Sequence, residues 1–219
     1  AYEISTRDWS SDVCSSDLTA VPDDVGDAVD LSASNLTITI GFGPTLFRTA
    51  AGVDRFGIAA QQPSSFRTFP AFPGDQLDPR LTGGDLCIQA CADDPQVAEH
   101  AVRTLVRIAR GTAVLAWSQT GFNRPATGAT TPRNLFGFKD GTANLRTADD
   151  LNQFVWVSAA DGPAWMVGGT YLAARKIYMV IENWDDQTLA TQQGVFGRTK
   201  QTGAPLSGGD ERTRPDFRA

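Results

Sequence analysis

Three short stretches in the first half of the chain have the hydrophobic pattern of β-strands. Residues 36–40 alternate as Leu-Thr-Ile-Thr-Ile, which is typical of a strand with one buried face. Residues 86–92 and 114–117 have the length and apolar character of two further strands. The pattern therefore predicts three strands before residue 118.

A helical pattern separates the second and third of these strands. Asp94 and Pro95 are typical of an N-cap and a first-turn proline, and Gly111 is typical of a helix end. The apolar positions between them recur on one helical face: Val97, Ala98, Ala101, Val102, Leu105, Ile108 and Ala109. Strand, strand, helix, strand is a ferredoxin-like unit without its opening strand and helix, so we expect an α+β fold.

The beginning of the chain does not fit this fold. Residues 1–18 have neither a helical stripe nor sustained alternation, and they resemble the translation of a sequencing-adapter remnant. We interpret them as a non-native segment and exclude them from the fold prediction. Residues 19–130 are then predicted to form a partial N-terminal ferredoxin-like unit, which ends in a polar loop at 120–133.

The rest of the chain, residues 131–219, is predicted to be a second ferredoxin-like unit that is also incomplete. Strands are expected near residues 153–157 and 171–181. A helix is expected to begin at Asp185 or Asp186 and to run toward Phe196.

Composition narrows the class of protein. Of the 219 residues, 41% are hydrophobic and 20% are charged, which is typical of a globular domain rather than a disordered tail. The net charge of -6 argues against binding to nucleic acid, which requires a basic surface. No apolar run approaches the roughly 20 residues needed to span a bilayer, so a membrane-spanning role is excluded.

The cysteines do not indicate a metal or haem-attachment site. Cys87 and Cys91 have the wrong spacing for a haem-attachment motif and Cys91 is not directly followed by histidine, while Cys14 lies far away. We interpret the cysteines as small buried hydrophobic residues rather than as a disulfide or a metal site.

The densest signal for chemistry lies at residues 134–144, Asn-Leu-Phe-Gly-Phe-Lys-Asp-Gly-Thr-Ala-Asn. Asp-Gly alone is a common turn dipeptide and indicates no more than a tight turn. The whole string, however, resembles the G-x-x-D-G signature of dye-decolorising haem peroxidases, in the form found in the iron-uptake (deferrochelatase/peroxidase) subgroup. The resemblance covers roughly residues 35–205, with a departure at Leu145, where the subgroup usually has proline.

The resemblance implies a fold and a site. The implied fold consists of ferredoxin-like units of the dimeric α+β barrel type. Asp140 matches the distal acid/base that moves a proton between the two oxygens of hydrogen peroxide. Gly141 would let the backbone approach haem b closely, Thr142 and Ala143 would line it, and Arg198 matches a haem-contacting arginine. Without the resemblance, Arg198 would be interpreted as a solvated arginine at a helix end.

The iron ligand is the part of the site that this sequence does not supply. Haem peroxidases normally bind iron through a proximal histidine, and the resemblance places that residue downstream of Ala219. The single histidine, His100, is next to Glu99 and off the apolar stripe of its helix, so it is predicted to face solvent. We therefore expect the 219-residue chain itself to hold little haem and to show no peroxidase turnover.

Three functions remain open at this level. The first is oxidation of a small aromatic or dye-like donor by hydrogen peroxide, and the second is removal of iron from haem. The third is a non-catalytic haem carrier on the same fold. The resemblance further implies export to the periplasm or cell envelope by a twin-Arg signal outside this sequence, iron-uptake partners and a homo-oligomer.

Overall fold

The structure is a computed structural model that describes residues 2–6, 26–122 and 131–218. The chain divides into two compact units, Ala1–Phe122 and Asn123–Ala219. Each unit has its own secondary structure and its own packed residues.

The first unit contains a sheet of four strands. They are β1 (Tyr2–Thr6), β2 (Thr37–Phe42), β3 (Leu86–Cys91) and β4 (Ala113–Ser118), in the spatial order β2-β3-β1-β4. All three neighbouring pairs are antiparallel, so β3 and β4 run parallel with β1 between them. This arrangement, with a helix crossing from β3 to β4, is ferredoxin-like and confirms the predicted α+β class.

Strand β1 corrects the prediction that the opening strand is missing. Tyr2–Thr6 lies inside residues 1–18, which were excluded from the fold, yet it pairs with both β3 and β4. A central strand is held by two backbone ladders, which do not require an alternating side-chain pattern. The predicted absence of the opening helix falls on residues 7–25, outside the described residues, and the non-native origin of residues 1–18 stays a prediction.

The first helix in chain order, α1 (Pro44–Phe47), is short. The second, α2, agrees closely with the predicted helical pattern. It spans Pro95–Ile108, and the Asp94 carboxylate caps it by accepting a hydrogen bond from the backbone N–H of Gln96 at 2.8 Å. Val102 is 1% exposed and packs with Ile88 and Ala113 in the core between helix and sheet. The predicted strands β2, β3 and β4 and this helix are confirmed. The buried face expected for residues 36–40 is wrong, because Ile38 and Ile40 are 45% and 58% exposed.

The second unit is described by short helices and turns. Irregular segments join its helices α3 (Ala148–Phe154), α4 (Ile181–Asp185) and α5 (Leu189–Phe196), and one 3₁₀ turn lies at Ala164–Met166. Two further 3₁₀ turns, Ala59–Gln61 and Pro79–Leu81, belong to the first unit. The helix predicted from Asp185 or Asp186 toward Phe196 begins later, at Leu189, because α4 ends at Asp185 and the Thr188 hydroxyl caps α5 by accepting from the N–H of Thr191 at 3.2 Å.

Two predicted strands in this unit are wrong. Residues 153–157 include the end of α3, which is stabilised at its start by the Thr147 cap. Residues 171–180 form no β-ladder with any other described segment, and Tyr178 there is 85% exposed. A strand needs a neighbour to satisfy its backbone groups, so apolar alternation alone is insufficient.

Candidate functional site

The predicted catalytic motif lies on a tight hairpin, which we call the Asp140 hairpin and define as residues 131–140. Arg133 and Lys139 form an antiparallel bridge. The N–H of Asn134 donates to the carbonyl of Phe138 at 2.9 Å, and the N–H of Asp140 donates to the carbonyl of Pro132 at 2.9 Å. Backbone bonds on both sides of the reversal therefore fix where Asp140 leaves the hairpin.

An aromatic cluster, defined as Phe136, Phe138, Trp184 and Phe196, supports the hairpin. Phe138 is 2% exposed and stacks on Phe196 with the ring centroids 4.0 Å apart and the planes 3° from parallel. The indole N–H of Trp184 donates to the carbonyl of Phe136 at 3.3 Å. Each such ring pair contributes about 0.5–1.5 kcal/mol beyond its buried area, so α4 and α5 hold the hairpin firmly.

The Asp140 side chain is exposed and chemically available. No hydrogen bond or ion pair engages its carboxylate among the described residues. It lines a cavity of about 280 Å³ together with five other residues: Pro132, Arg133, Asn134, Gly141 and Asn144. A carboxylate that is fixed through its backbone and free at its oxygens can accept a proton and give it back.

Gly141 lines one side of this cavity with bare backbone. Its φ of +98° lies in the region that favours glycine, and a Cβ there would lie 2.8 Å from Nδ2 of Asn144. Thr142 is half-buried and Ala143 is exposed in the turn that follows, and neither is among the described residues that line the cavity. The structure therefore brings Asp140 and Gly141 to one cavity, while the roles of Thr142 and Ala143 toward haem stay predictions.

Arg198 occupies a different position in the unit. One terminal nitrogen of its guanidinium donates to the carbonyls of Gly203 at 2.7 Å and Glu211 at 3.1 Å. The other donates to the carbonyl of Thr213 at 3.3 Å. These bonds turn the guanidinium toward the backbone of residues 203–213, and its predicted contact with haem stays a prediction.

Sequence reasoning missed the charged residues that hold the hairpin. Glu211 forms an ion pair with Lys139 and accepts a hydrogen bond from the Thr131 hydroxyl at 3.1 Å. The hydrogen bond from Lys139 lowers the pKa of Glu211. Because Glu211 is 72 residues away from Lys139 in sequence, no local pattern links them.

Arg133 is the second such residue. It donates to the carbonyls of Gly137 at 2.8 Å and Lys200 at 2.6 Å, and also to that of Gln201 at 3.0 Å. It borders both the Asp140 cavity and an open cleft of about 630 Å³ lined by Gly137, Leu189, Gln193 and residues 199–202. The loop assignment for residues 120–133 gave no sign of this contact.

The described residues fit only part of a haem site. The free Asp140 carboxylate and the bare Gly141 wall suit the distal side, where a proton acceptor and close backbone approach are needed. Among the described residues no group of three or more histidine, cysteine, aspartate or glutamate side chains is placed to hold a metal. The one histidine of the sequence, His100, belongs to the first unit, so the second unit contributes no histidine to the iron.

His100 and the cysteines differ from their predictions. His100 on α2 of the first unit is half-buried rather than solvent-facing, and its Nδ1 is buried with no hydrogen-bond partner among the residues that the structure describes. Cys87 is half-buried and Cys91 is exposed, and Cys14 lies outside the described residues. The expected full burial is wrong for Cys91 because it ends strand β3 at the sheet margin.

Comparison with family models matches nearly the whole chain. Residues 2–123 match the model described as "Dyp-type peroxidase, N-terminal", and residues 131–216 match "Dyp-type peroxidase, C-terminal". Every helix in the described part of the chain is too short or too polar to cross a lipid bilayer.

Similar proteins and structures carry related names. Deferrochelatases from Escherichia coli (strain K12) and Shigella flexneri are each 40% identical over 194 residues, 85% of this chain and 45% of theirs. The ferric DtpA structure from Streptomyces lividans has a TM-score of 0.78 at 37% identity and covers 90% of this chain and 53% of that one. A DyP-type peroxidase from Streptomyces coelicolor has a TM-score of 0.77, 37% identity and the same two coverages. The chain spans about half the length of these relatives.

Proposed function

Because the chain belongs to the Dyp-type peroxidase family, we propose that the protein is a haem-dependent peroxidase that reduces hydrogen peroxide and oxidises a small aromatic or dye-like donor. The observation that carries the proposal is the free, exposed carboxylate of Asp140 at a cavity walled by Gly141. Ferric and oxyferrous structures among the similar proteins support haem as the cofactor, and we propose haem b.

Asp140 would act as a proton carrier. Its carboxylate oxygen accepts the proton of hydrogen peroxide and then returns it to the oxygen that departs as water. Haem, when bound, supplies the redox chemistry of its iron. The bond from the Asp140 N–H to the Pro132 carbonyl holds the carboxylate at the cavity through both transfers.

The Asp140→Asn variant tests this role. The experiment uses the protein with a histidine-containing continuation after Ala219, loaded with hemin and given hydrogen peroxide and a dye. Since the amide cannot carry the proton, we expect turnover to fall by about 10²–10⁴-fold, with the Soret band unchanged. Asp149→Asn, an exposed change on α3, is the matched control. Equal turnover in both variants would refute the assignment.

The 219-residue chain by itself should behave differently. Its one histidine is His100, half-buried on α2, and haem peroxidases need a histidine on the iron. We propose that the chain alone retains little haem and gives no turnover. Titration with hemin checks this, and a sharp histidine-type Soret band with dye oxidation would contradict it.

Removal of iron from haem is a second candidate, because the curated relatives at 40% identity are named deferrochelatases. Product analysis separates the two reactions: oxidised donor indicates peroxidase, and free protoporphyrin indicates iron release. A haem carrier would retain haem and show neither product. Periplasmic or cell-envelope placement and iron-uptake partners remain proposals that fractionation and co-purification can test.

A further inference from the structure

We propose that Glu211 is a positioning residue for Asp140, acting as a clamp that joins both arms of the Asp140 hairpin. The inference rests on the proposed role of Asp140 as the proton carrier. It concerns a residue that does not border the Asp140 cavity in the described structure, so Glu211 acts through other residues rather than on a substrate.

One carboxylate contacts both arms of the hairpin. Oε1 of Glu211 accepts from the Thr131 hydroxyl at 3.1 Å, and Oε2 pairs with the Lys139 ammonium group. Thr131 and Lys139 directly adjoin Pro132 and Asp140, the two residues joined by the 2.9 Å backbone bond. The clamp therefore closes the hairpin beside the backbone bond that sets the position of Asp140.

The ion pair is partly shielded from water. The side chains of Lys139 and Glu211 are 24% and 17% exposed, and Thr131 is 4% exposed. Shielded charged hydrogen bonds hold a geometry better than exposed ones, because water competes less for the donor and acceptor. This favours a directional clamp over a loose surface pair.

The rest of the structure keeps Glu211 in place. Arg198 donates to the carbonyls of Glu211 and Gly203, so it anchors both segments that flank the pair. Gly203 has a φ of +79°, and a Cβ there would lie 2.8 Å from Cδ of Lys139 and 3.2 Å from Cβ of Glu211. Gly203 thus leaves the space in which the two side chains meet, and Arg198 contributes to Asp140 placement through Glu211.

Amide hydrogen exchange of the 219-residue chain tests the clamp without haem. Glu211→Gln keeps the shape and the acceptor for Thr131 but removes the charge pair. We expect the amides of Asp140 and Asn134 to exchange about five- to tenfold faster, while amides of α5 and α2 change less than about twofold. Glu182→Gln, an exposed change on α4, is the matched control.

Charge reversal separates positioning from general stability. Lys139→Glu or Glu211→Lys alone should loosen the hairpin, whereas the double variant should recover at least half of the lost protection. If Glu211→Gln is poorly folded by circular dichroism, Lys139→Met provides the same readout. Unchanged exchange at Asp140, or a uniform rise across the second unit without recovery in the double variant, would overturn the clamp.

The two sets of experiments distinguish a failure of the clamp proposal from a failure of the role proposed for Asp140. Unchanged hairpin exchange in Glu211→Gln, together with loss of turnover in Asp140→Asn, overturns the clamp and leaves the peroxidase proposal intact. Faster hairpin exchange in Glu211→Gln together with full turnover in Asp140→Asn overturns the proposed role of Asp140 as the proton carrier, and Glu211 is then only a structural clamp.

Discussion

The first unit and the Asp140 hairpin are held by different kinds of contact. In the first unit, Ile88, Val102 and Ala113 meet in an apolar core between the sheet and α2. The hairpin is held instead by two sets of contacts. One is the stacking of its own Phe138 within the aromatic cluster, and the other is the polar contacts of Arg133 and Glu211. The apolar core is non-directional, whereas the hydrogen bonds and ion pair depend on distance and angle.

This difference matches the role that we propose for each region. A core of aliphatic side chains stabilises a scaffold over a range of small adjustments. A side chain that transfers protons must be held much more closely, and supporting hydrogen bonds provide that restraint. The polar contacts around Asp140 are therefore the part of the molecule where small changes should alter chemistry before they alter folding.

The largest effect is expected when the aromatic support of the hairpin is removed. Phe138→Ala should cost about 3–5 kcal/mol of stability, because Phe138 is 2% exposed and stacked on Phe196. Urea unfolding followed through amide signals of residues 131–218 measures this. Leu135→Ala, 70% exposed in the same hairpin, is the control and should change stability by less than about 0.5 kcal/mol. Equal losses would mean that the stack does not support the hairpin.

A smaller effect is expected in the core of the first unit. Val102→Ala should cost about 1–3 kcal/mol, since it leaves a small cavity under the sheet. The loss should be greatest for the amide signals of α2 and β3. Ile108→Ala, 46% exposed at the end of α2, serves as the comparison. A larger loss at Ile108 than at Val102 would contradict this location of the core.

The smallest expected effect is the pH dependence of the stability that the Glu211 clamp provides. The pKa of Glu211 is lowered by Lys139, so the unfolded chain binds a proton there more readily than the folded chain. The stabilisation that Glu211 gives to the folded chain is therefore complete above its ordinary pKa of 4.5. It is lost as the pH falls through the lower pKa that Glu211 has in the folded chain. Wild type should exceed Glu211→Gln in stability at pH 7, and the difference should shrink below pH 4.5. A pH-independent difference in urea midpoint would contradict this linkage.

Local signals in the sequence predicted one part of the fold well. The Asp94 cap, Pro95 and the apolar stripe specify α2, and the alternation at residues 36–40 specifies β2. The helix is set by contacts between near neighbours in sequence, whereas β2 exists because β3, which is distant in sequence, pairs with it. Residues 171–180 have a comparable apolar pattern but form no β-ladder with another described segment, which is why that prediction failed.

The site was predictable only in its chemistry. Asp140 and Gly141 were identified through the family resemblance of residues 134–144 and of much of the chain around them, and the structure places both at one cavity. The partners that hold the hairpin could not be found in this way. Arg133 bonds to residues 67 and 68 positions away, and Lys139 pairs with Glu211 at a separation of 72.

The sequence by itself determined the α+β class, the helix α2 and the carboxylate at the centre of the candidate site. Tertiary structure alone decided that Tyr2–Thr6 is a central strand and that Glu211 clamps the hairpin. The physical reason is the range of the interactions. Capping and periodicity act within a few residues, whereas strand pairing and a shielded ion pair depend on segments that only the folded chain brings together.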